Sequence, residues 1–363
     1  MSALTMIEAD GISVGFDRTF GMIAELRVVR DGRTISMLHK APWYGEQMPP
    51  DAAPHLGRLA GDFFCAPFGD ASSDGAPGHG WPANSPWSSL GTVREGEATV
   101  ARFSLERPVM GATLLKELRL VDRHPFVYQR HVFTGGRGDE IAVANHAMLS
   151  LPHGARLSFS PKRWWETPAT GLEPDPARGR GLLAYPAVSE DARHFPLADG
   201  GTGDLTRYPV GQRHEDFAVG VEAPGRSFGW TAVARNGEAD LFLSLRNAER
   251  LPMTMLWFSN GGRDYAPWNG RHVDVLGVEE GLNRSLLGHS AQQVPNALDA
   301  AGVPTALTLR AGASIETRHI IGSLPWEGDG EIAEIEAAEG GLALRTPAGP
   351  ARHVPCDLAF LEL

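Results

Sequence analysis

The stretch that decides the fold class is "ATVARFSLE", residues 98–106, followed by "TLLKELRLV" (113–121) and "FVYQRHVF" (126–133). In the first segment apolar and polar residues alternate, with Ala101, Phe103 and Leu105 set against Arg102, Ser104 and Glu106. Consecutive residues of a strand point to opposite faces, so this pattern predicts a strand with one face toward a core and one toward water. The next two segments also read as strands, separated by "DRHP" at 122–125.

Strand patterns recur along the chain, whereas convincing helix is scarce. "MIAELRVVR" (22–30) and "RTISMLHK" (33–40) flank Asp31-Gly32, a residue pair that suits a tight hairpin turn. Two segments predict a few helical turns each, "NRSLLGH" (283–289) and "DGEIAEIEAAEGG" (329–341), the second capped by Asp329 and ended by Gly340. Long irregular segments fill most of 41–97 and 161–213. We therefore expect one all-β domain over residues 1–363, a sandwich of large antiparallel sheets with long loops on one face.

Composition narrows the class of protein. The net charge of −11 argues against nucleic acid as a partner, because phosphate binding needs a concentrated basic surface. The two cysteines, Cys65 and Cys356, form neither a metal pattern nor a disulfide framework. No apolar run reaches membrane-spanning length, and the first residues lack the pattern of a secretory signal. These features predict a cytoplasmic protein that does not bind a membrane.

Candidate functional residues lie at strand ends and in loops, since no phosphate-binding loop, nucleophile elbow or HExxH metal motif is present. His146 lies inside the apolar strand "AVANHAMLSL" with Asn145 on the opposite face, and this context alone favours a hydrogen-bonded core histidine. Glu279 and Glu280 end the strand "HVDVLGVEE"; either a partly buried general base or an exposed acidic turn would fit. Because the two glutamates point to opposite faces, at most one of them can face a site.

Two aromatic segments could contact a sugar. "WFSNGGRDYAPWNGRH" (257–272) combines Arg263 and Trp268 with amides, and tryptophan stacked on a pyranose ring beside polar donors is common in sugar recognition. A turn with structural tryptophans is the alternative. Trp164 and Trp165 could equally line a pocket or cover a sheet edge.

Four segments, in order along the chain, resemble the galactose mutarotase-like proteins, which include aldose 1-epimerases and hexose-6-phosphate epimerases. "GDFFCAPFG" (61–69) resembles a Gly-Gly-x-Pro-x-x-x-Pro-x-Phe-Gly segment, and "HGWPANSPW" (79–87) resembles His-Gly-Phe-Ala-Arg-Asn-x-x-Trp. "ANHAMLSL" (144–151) is similar to the family's Thr-Asn-His-x-Tyr-Phe-Asn-Leu strand, and "VLGVEE" (275–280) to its strand ending in Glu-Pro. The resemblance covers roughly residues 20–325 and implies a β-supersandwich fold.

The resemblance also implies a chemistry. In this family a glutamate removes the proton of the anomeric hydroxyl and a histidine protonates the ring oxygen; the ring then opens and recloses on the other face. Matched residue by residue, Glu279 would be the base and His146 the acid. His79 would support them at the ring oxygen, so we expect these three side chains to converge on one cleft. Asn145, Arg263 and Trp268 are further expected sugar contacts. Such acid–base chemistry requires neither a metal nor another cofactor.

The chain departs from the family pattern at several positions. Glu280 replaces the proline after the glutamate, and Ala83 replaces the arginine of the His-Gly segment. "Met-Leu" at 148–149 and the following serine replace an aromatic pair and an asparagine. Arg58 could supply the missing guanidinium. The family's substrate-binding aspartate aligns with His214, so Asp216, two residues further along the same strand face, could replace it.

The sequence therefore predicts an aldose 1-epimerase-like enzyme, a monomer or homodimer, that acts on a small-molecule sugar. Two alternatives stay open: a sugar-binding protein without turnover, and another carbohydrate chemistry such as lyase action or hydrolysis. The identity of the sugar, and whether it carries a phosphate or carboxylate, are open as well.

Overall fold

Two large antiparallel sheets form the body of the protein in the computed structural model, which describes residues 4–70, 72–284, 289, 297–327 and 330–362. The first sheet has eleven strands, in the spatial order β1 (Thr5–Ala9), β2 (Ile12–Asp17), β3 (Met22–Arg30), β5 (Asp62–Cys65), β11 (Val143–Ser150), β22 (Val275–Leu282), β21 (Met253–Asn260), β18 (His214–Glu222), β13 (Lys162–Glu166) and β14 (Val188–Ser189), with β4 (Arg33–Ile35) paired to β3. The second has nine strands, in the order β17 (Arg207–Tyr208), β12 (Ala155–Phe159), β19 (Phe228–Arg235), β20 (Asp240–Asn247), β24 (Ser314–Pro325), β9 (Phe126–Gly135), β8 (Ala112–Val121), β7 (Ala98–Leu105) and β6 (Trp87–Glu95). The expected all-β sandwich is confirmed.

Smaller elements complete the fold. Two short pairs join β10 (Asp139–Ile141) to β23 (Leu307–Leu309) and β15 (Phe195–Pro196) to β16 (Thr202–Gly203). A three-stranded sheet consists of β25 (Glu334–Ala338), β26 (Gly341–Arg345) and β27 (Arg352–Pro355). Helical elements among the described residues include α1 (Ala297–Ala300) and short 3-10 turns at Pro54–Arg58, Ser72–Asp74, Ala192–His194 and Leu358–Leu361. Within the described ranges, no helix is long and apolar enough to cross a membrane.

Residues 98–105 form strand β7, and its apolar and polar side chains alternate between the core and the outer face, as the sequence predicted. Ala101, Phe103 and Leu105 belong to the apolar core between the two sheets, while Arg102 and Ser104 are half-buried. Strand β7 pairs along its length with β8, which in turn pairs with β9. The period-two pattern thus identified both the strands and the face that packs.

The helical prediction for residues 329–341 is wrong over its described part. Glu334–Ala338 is a strand, and Gly340, with φ of +70°, lies in the turn that leads to β26. Ile335 and Leu342 pack against the outer face of the nine-stranded sheet, so tertiary burial outweighs the local helix preference of the glutamates and alanines. Asp329 and most of the other predicted helical segment, residues 285–288, lie outside the described residues.

A buried ion cluster lies between the two large sheets. It consists of Lys162, Glu222, Arg246 and Glu280, with Lys162 Nζ 2.6 Å and Arg246 Nη2 2.6 Å from Glu222 Oε2, and Arg246 Nη1 2.9 Å from Glu280 Oε2. This interior ion cluster pairs its charges across the sandwich, as buried charges require. It occupies one face of the eleven-stranded sheet; the long loops and the site described next lie on the other face, which we call the cavity face.

Candidate active site

Strand pairing places His146 directly beside Glu279. Strands β11 and β22 are antiparallel, with His146 opposite Glu279 and Asn145 opposite Glu280. Because alternate residues point to opposite faces, His146 and Glu279 project from the cavity face, whereas Glu280 joins the interior ion cluster. The His146 Nε2 atom lies 3.2 Å from Glu279 Oε1. The two adjacent glutamates therefore face opposite sides of the sheet, as the sequence predicted.

Burial shapes the protonation of this pair. Burial raises the pKa of Glu279 well above its ordinary value. Burial, with a smaller contribution from His55, lowers the pKa of His146 to about 3. Both effects favour the neutral forms, a protonated carboxyl group beside an unprotonated imidazole nitrogen. Once Glu279 is deprotonated, it is a stronger base than a carboxylate in water.

His79 reaches the same place from the loop between β5 and β6. Its backbone is left-handed, with φ of +62°, and its amide N–H donates to the carbonyl of Gly69 at 2.8 Å. The following Gly80 also has positive φ, and a Cβ atom there would lie 2.2 Å from the carbonyl of Ala66. Close packing of Gly80 on Ala66 thus fixes the position of the loop. In this position the His79 ring lies edge-on to the His146 ring, with centroids 5.3 Å apart.

A third histidine, His55, was not predicted from the sequence. It lies in the 3-10 turn Pro54–Arg58, is buried, and packs edge-on against His79 with ring centroids 5.3 Å apart. Its Nδ1 atom is 3.0 Å from Asn84 Oδ1. Burial lowers the pKa of His55 to about 4, partly offset by the bond to Asn84. No sequence pattern marked this residue, because 41–60 has neither strand nor helix periodicity.

Arg263 and Trp268 form another wall. The Arg263 guanidinium lies over the Trp268 ring, 4.5 Å from its centroid, and its Nε donates to Glu173 Oε1 at 2.8 Å. Its Nη1 atom is 3.4 Å from Glu215 Oε1, and Glu215 also accepts a bond from the Trp257 indole at 2.5 Å. Two carboxylates thus hold Arg263 in place and balance its charge.

These groups line one cavity of about 550 Å³. Its polar and aromatic lining includes His55, Phe63, His79, His146, Trp257, Arg263, Trp268 and Glu279. The volume lies within the range of small-molecule sites, and an apolar lining with a few convergent polar groups is typical of them. A larger depression of about 870 Å³ runs along β23 and β24, but the described residues that line it include no histidine. Nor do the described residues contain three His, Cys, Asp or Glu side chains grouped to hold a metal.

Three of the expected sugar contacts are placed outside the cavity lining. Asn145 lies on the face of β11 that points between the sheets, one residue out of phase with His146. Arg58 donates from Nε to Asp17 Oδ2 at 2.6 Å. Asp216 accepts bonds from the backbone N–H groups of 182 and 183 and from the hydroxyl of Tyr185, at 2.8, 3.1 and 3.0 Å. Its carboxylate holds a neighbouring loop in place.

Asp216 lies on the face of β18 that points away from the cavity. Strand β18 pairs Phe217 with Trp257 on the cavity face, and Glu215 shares that face. Asp216 pairs with Phe258 and faces the core between the two large sheets. The acidic residue of β18 on the cavity face is Glu215, one residue before Asp216. Neither Trp164 nor Trp165 lines the cavity; Trp165 packs on Phe159, with ring centroids 4.8 Å apart.

Comparison with known proteins gives the fold. No family model and no curated protein matches the sequence. Among solved structures, the chain is similar to a galactose mutarotase-like protein from Lactobacillus casei, with a TM-score of 0.55, 12% identity, and 88% of this chain and 100% of that chain covered. A galactose mutarotase related enzyme from Lactobacillus acidophilus gives a TM-score of 0.52 at 11% identity, with 89% and 98% covered.

The same architecture also occurs within a larger protein. A TPR-domain containing protein from Parabacteroides distasonis matches with a TM-score of 0.52 at 12% identity, over 88% of this chain and 46% of that chain. At such identities the likeness establishes the architecture and not the activity. The chain has the galactose mutarotase-like fold.

Proposed function

We propose that the protein is an aldose 1-epimerase-like enzyme that interconverts the α and β anomers of a sugar. The observation that carries the proposal is the contact of 3.2 Å between His146 Nε2 and Glu279 Oε1, two buried groups that line a sugar-sized cavity. A carboxyl group with a raised pKa beside an imidazole suits removal and return of one proton at neighbouring oxygens.

In the proposed reaction the proton of the Glu279 carboxyl group first passes to His146 across their contact of 3.2 Å, which gives a carboxylate and an imidazolium. Glu279 then takes the proton of the anomeric hydroxyl. As the carbonyl forms, the bond between the anomeric carbon and the ring oxygen breaks, and the ring oxygen takes a proton from His146. His79, whose ring lies edge-on to His146, supports the ring oxygen as a hydrogen-bond donor. After rotation about the bond to the aldehyde carbon, the same steps in reverse close the ring on the other face. The proton passes back to Glu279 across the short contact with His146.

The aromatic walls suit the faces of a pyranose ring. Phe63 stacks on His146 with centroids 4.5 Å apart, and Trp257 lies edge-on to the same imidazole at 5.7 Å. Trp268 and Arg263 line another side of the cavity. Apolar ring faces beside convergent polar donors are the usual complement of a sugar, whose C–H face packs while its hydroxyls hydrogen-bond.

Hydrolysis is less well supported. Glycoside hydrolysis requires two carboxyl groups on either side of the bond that breaks. Glu279 is buried in the cavity lining, whereas the other acidic lining residues, Asp51 and Asp70, are exposed. Glu173 and Glu215 are bonded to Arg263.

The test is anomer exchange in a panel of aldoses, followed by magnetisation-transfer NMR. We expect the wild-type protein to accelerate exchange of at least one sugar, and Glu279→Gln and His146→Ala to abolish most of that acceleration. Asp216→Asn serves as a control, because its carboxylate lies outside the cavity lining. Binding of several sugars without acceleration would favour a non-catalytic sugar-binding protein. Full activity in Glu279→Gln would overturn the assignment of the base.

A further inference from the structure

The orientation of the Asn84 side chain determines which nitrogen of His55 carries a proton. Asn84 Nδ2 lies 2.8 Å from the carbonyl oxygen of Gly78 and 2.7 Å from that of Gly80. An amide NH2 group has two donors, and both are used by these two carbonyls. The reversed amide would place its own oxygen against two other oxygens, so Oδ1 must face His55.

Asn84 Oδ1 then accepts two hydrogen bonds from His55. The backbone N–H of His55 and its ring Nδ1 each lie 3.0 Å from Oδ1. Since an amide oxygen can only accept, Nδ1 must be the protonated nitrogen. Burial keeps the imidazole neutral at pH 7, because its pKa is lowered to about 4. A neutral imidazole has one N–H, so Nε2 carries a lone pair.

No side chain among the described residues makes a hydrogen bond to His55 Nε2; the bonds of His55 to Asn84 use its backbone N–H and its Nδ1. The side of the ring that holds Nδ1 is turned toward Asn84, which leaves the opposite edge for the cavity that His55 lines. Phe63 and His79 pack against the ring, with centroids 6.0 and 5.3 Å away, and hold it in place. His55 is therefore a rigid acceptor in a cavity that also contains Arg263, which can only donate.

We propose that His55 is a specificity-determining residue whose Nε2 accepts a hydrogen bond from one hydroxyl group of the sugar. This inference rests on the proposed function. A sugar that lacks this hydroxyl would leave a buried acceptor unpaired, and a sugar with a phosphate or carboxylate there would set oxygen lone pairs against it. The preferred substrate is thus an aldose with a free hydroxyl at the position that meets His55.

The experiment pairs variants of His55 with modified sugars. The probes are glucose, galactose, their monodeoxy derivatives and their 6-phosphates; the measured quantity is kcat/KM for anomer exchange. For the wild type we expect one deoxy position to reduce kcat/KM roughly 10- to 100-fold. His55→Phe keeps the ring and removes the acceptor, so it should lower kcat/KM for the parent sugar by a similar factor and lose the discrimination at that position. His55→Gln, which can present an amide oxygen, should restore part of both.

His39→Phe is the matched control. Burial lowers the pKa of His39 to about 4, as it does that of His55, but His39 does not line the cavity. This variant should retain the wild-type discrimination between parent and deoxy sugars. Discrimination that persists at every position in His55→Phe would overturn the inference.

A second measurement does not depend on activity. A long-range 1H–15N NMR spectrum of the histidines, with the His55 signals assigned by their loss in His55→Gln, distinguishes the two neutral tautomers. We expect the proton on Nδ1; a proton on Nε2 would overturn the inference even if the enzyme is active. If the wild type accelerates no sugar, the proposed function fails. The same panel, measured as equilibrium affinity by calorimetry, then still shows whether His55 selects a hydroxyl group.

Discussion

Exchanging each of the adjacent glutamates 279 and 280 for glutamine should separate catalysis from stability. The two residues differ by one position in β22 and face opposite sides of the sheet. Glu279 faces His146 in the cavity, whereas Glu280 belongs to the interior ion cluster. The same chemical change at neighbouring positions should therefore give opposite phenotypes.

Glu280→Gln should lower the free energy of unfolding. The carboxylate accepts hydrogen bonds from Thr231 at 2.7 Å and Thr254 at 2.9 Å, and pairs with Arg246 at 2.9 Å. Removal of one partner of a buried ion pair costs about 3–5 kcal/mol. Arg246 keeps its contact with Glu222, so we expect the free energy of unfolding to fall by about 3 kcal/mol. That is a large part of a typical unfolding free energy of about 5–15 kcal/mol.

Glu279→Gln should lower the rate of anomer exchange without lowering stability. Burial raises the pKa of Glu279, which means that the folded protein holds the Glu279 proton more tightly than the unfolded chain does. The stability due to this group therefore falls as pH rises from its ordinary pKa toward its raised one. Glutamine removes this penalty, so the free energy of unfolding at pH 7 should be equal to or higher than that of the wild type. Loss of a general base lowers the rate by about 10²- to 10⁴-fold.

The assays are urea unfolding followed by tryptophan fluorescence, and anomer exchange by NMR on the folded protein at pH 7. We expect stable but inactive Glu279→Gln, and destabilised Glu280→Gln that retains activity under folding conditions. Equal stability of the two variants would refute the assignment of Glu280 to a buried ion pair. Activity in Glu279→Gln together with inactivity in folded Glu280→Gln would refute the assignment of faces.

Three further predictions follow from burial and backbone geometry. The kcat/KM for anomer exchange should fall as pH rises through the raised pKa of Glu279, because the pair of Glu279 and His146 then loses the proton that His146 donates to the ring oxygen; a kcat/KM that does not fall at high pH would contradict this. Gly80→Ala should destabilise the protein by at least about 2 kcal/mol and lower activity through displacement of His79, since the added methyl group meets a backbone carbonyl at 2.2 Å and φ is +75°. Gly78→Ala, where a Cβ meets nothing within 4 Å, is its control, and equal losses in both would count against this reasoning. Burial lowers the pKa of His319 to about 3 from 6.5, so below pH 6.5 the unfolded chain binds a proton that the folded protein does not. The free energy of unfolding therefore decreases as pH is lowered from 6.5. His319→Gln should reduce this slope, measured by urea unfolding between pH 4 and 6, by about 1.4 kcal/mol per pH unit; an unchanged slope would show that another group causes it.

The sequence predicted strands correctly in segments where buried and exposed residues alternate with a period of two. Ala101, Phe103 and Leu105 pack between the sheets because alternate strand residues share a face. The prediction failed for Glu334–Ala338, where helix-favouring residues lie in a strand. The buried residue Ile335 decides that case through its packing on the nine-stranded sheet, and this contact is not visible locally.

The sequence by itself determined which neighbours could share a side of a strand: His146 apart from Asn145, and Glu279 apart from Glu280. This follows from strand geometry alone. Only the tertiary structure decided which side is the cavity, and with it that Glu215 rather than Asp216 lies on the cavity face. A shift of one residue in matching a strand exchanges its two faces, and no local pattern reports such a shift. His55 depended on tertiary structure entirely, because only folding brings its irregular turn against His79 and against Asn84, 29 residues further along the chain.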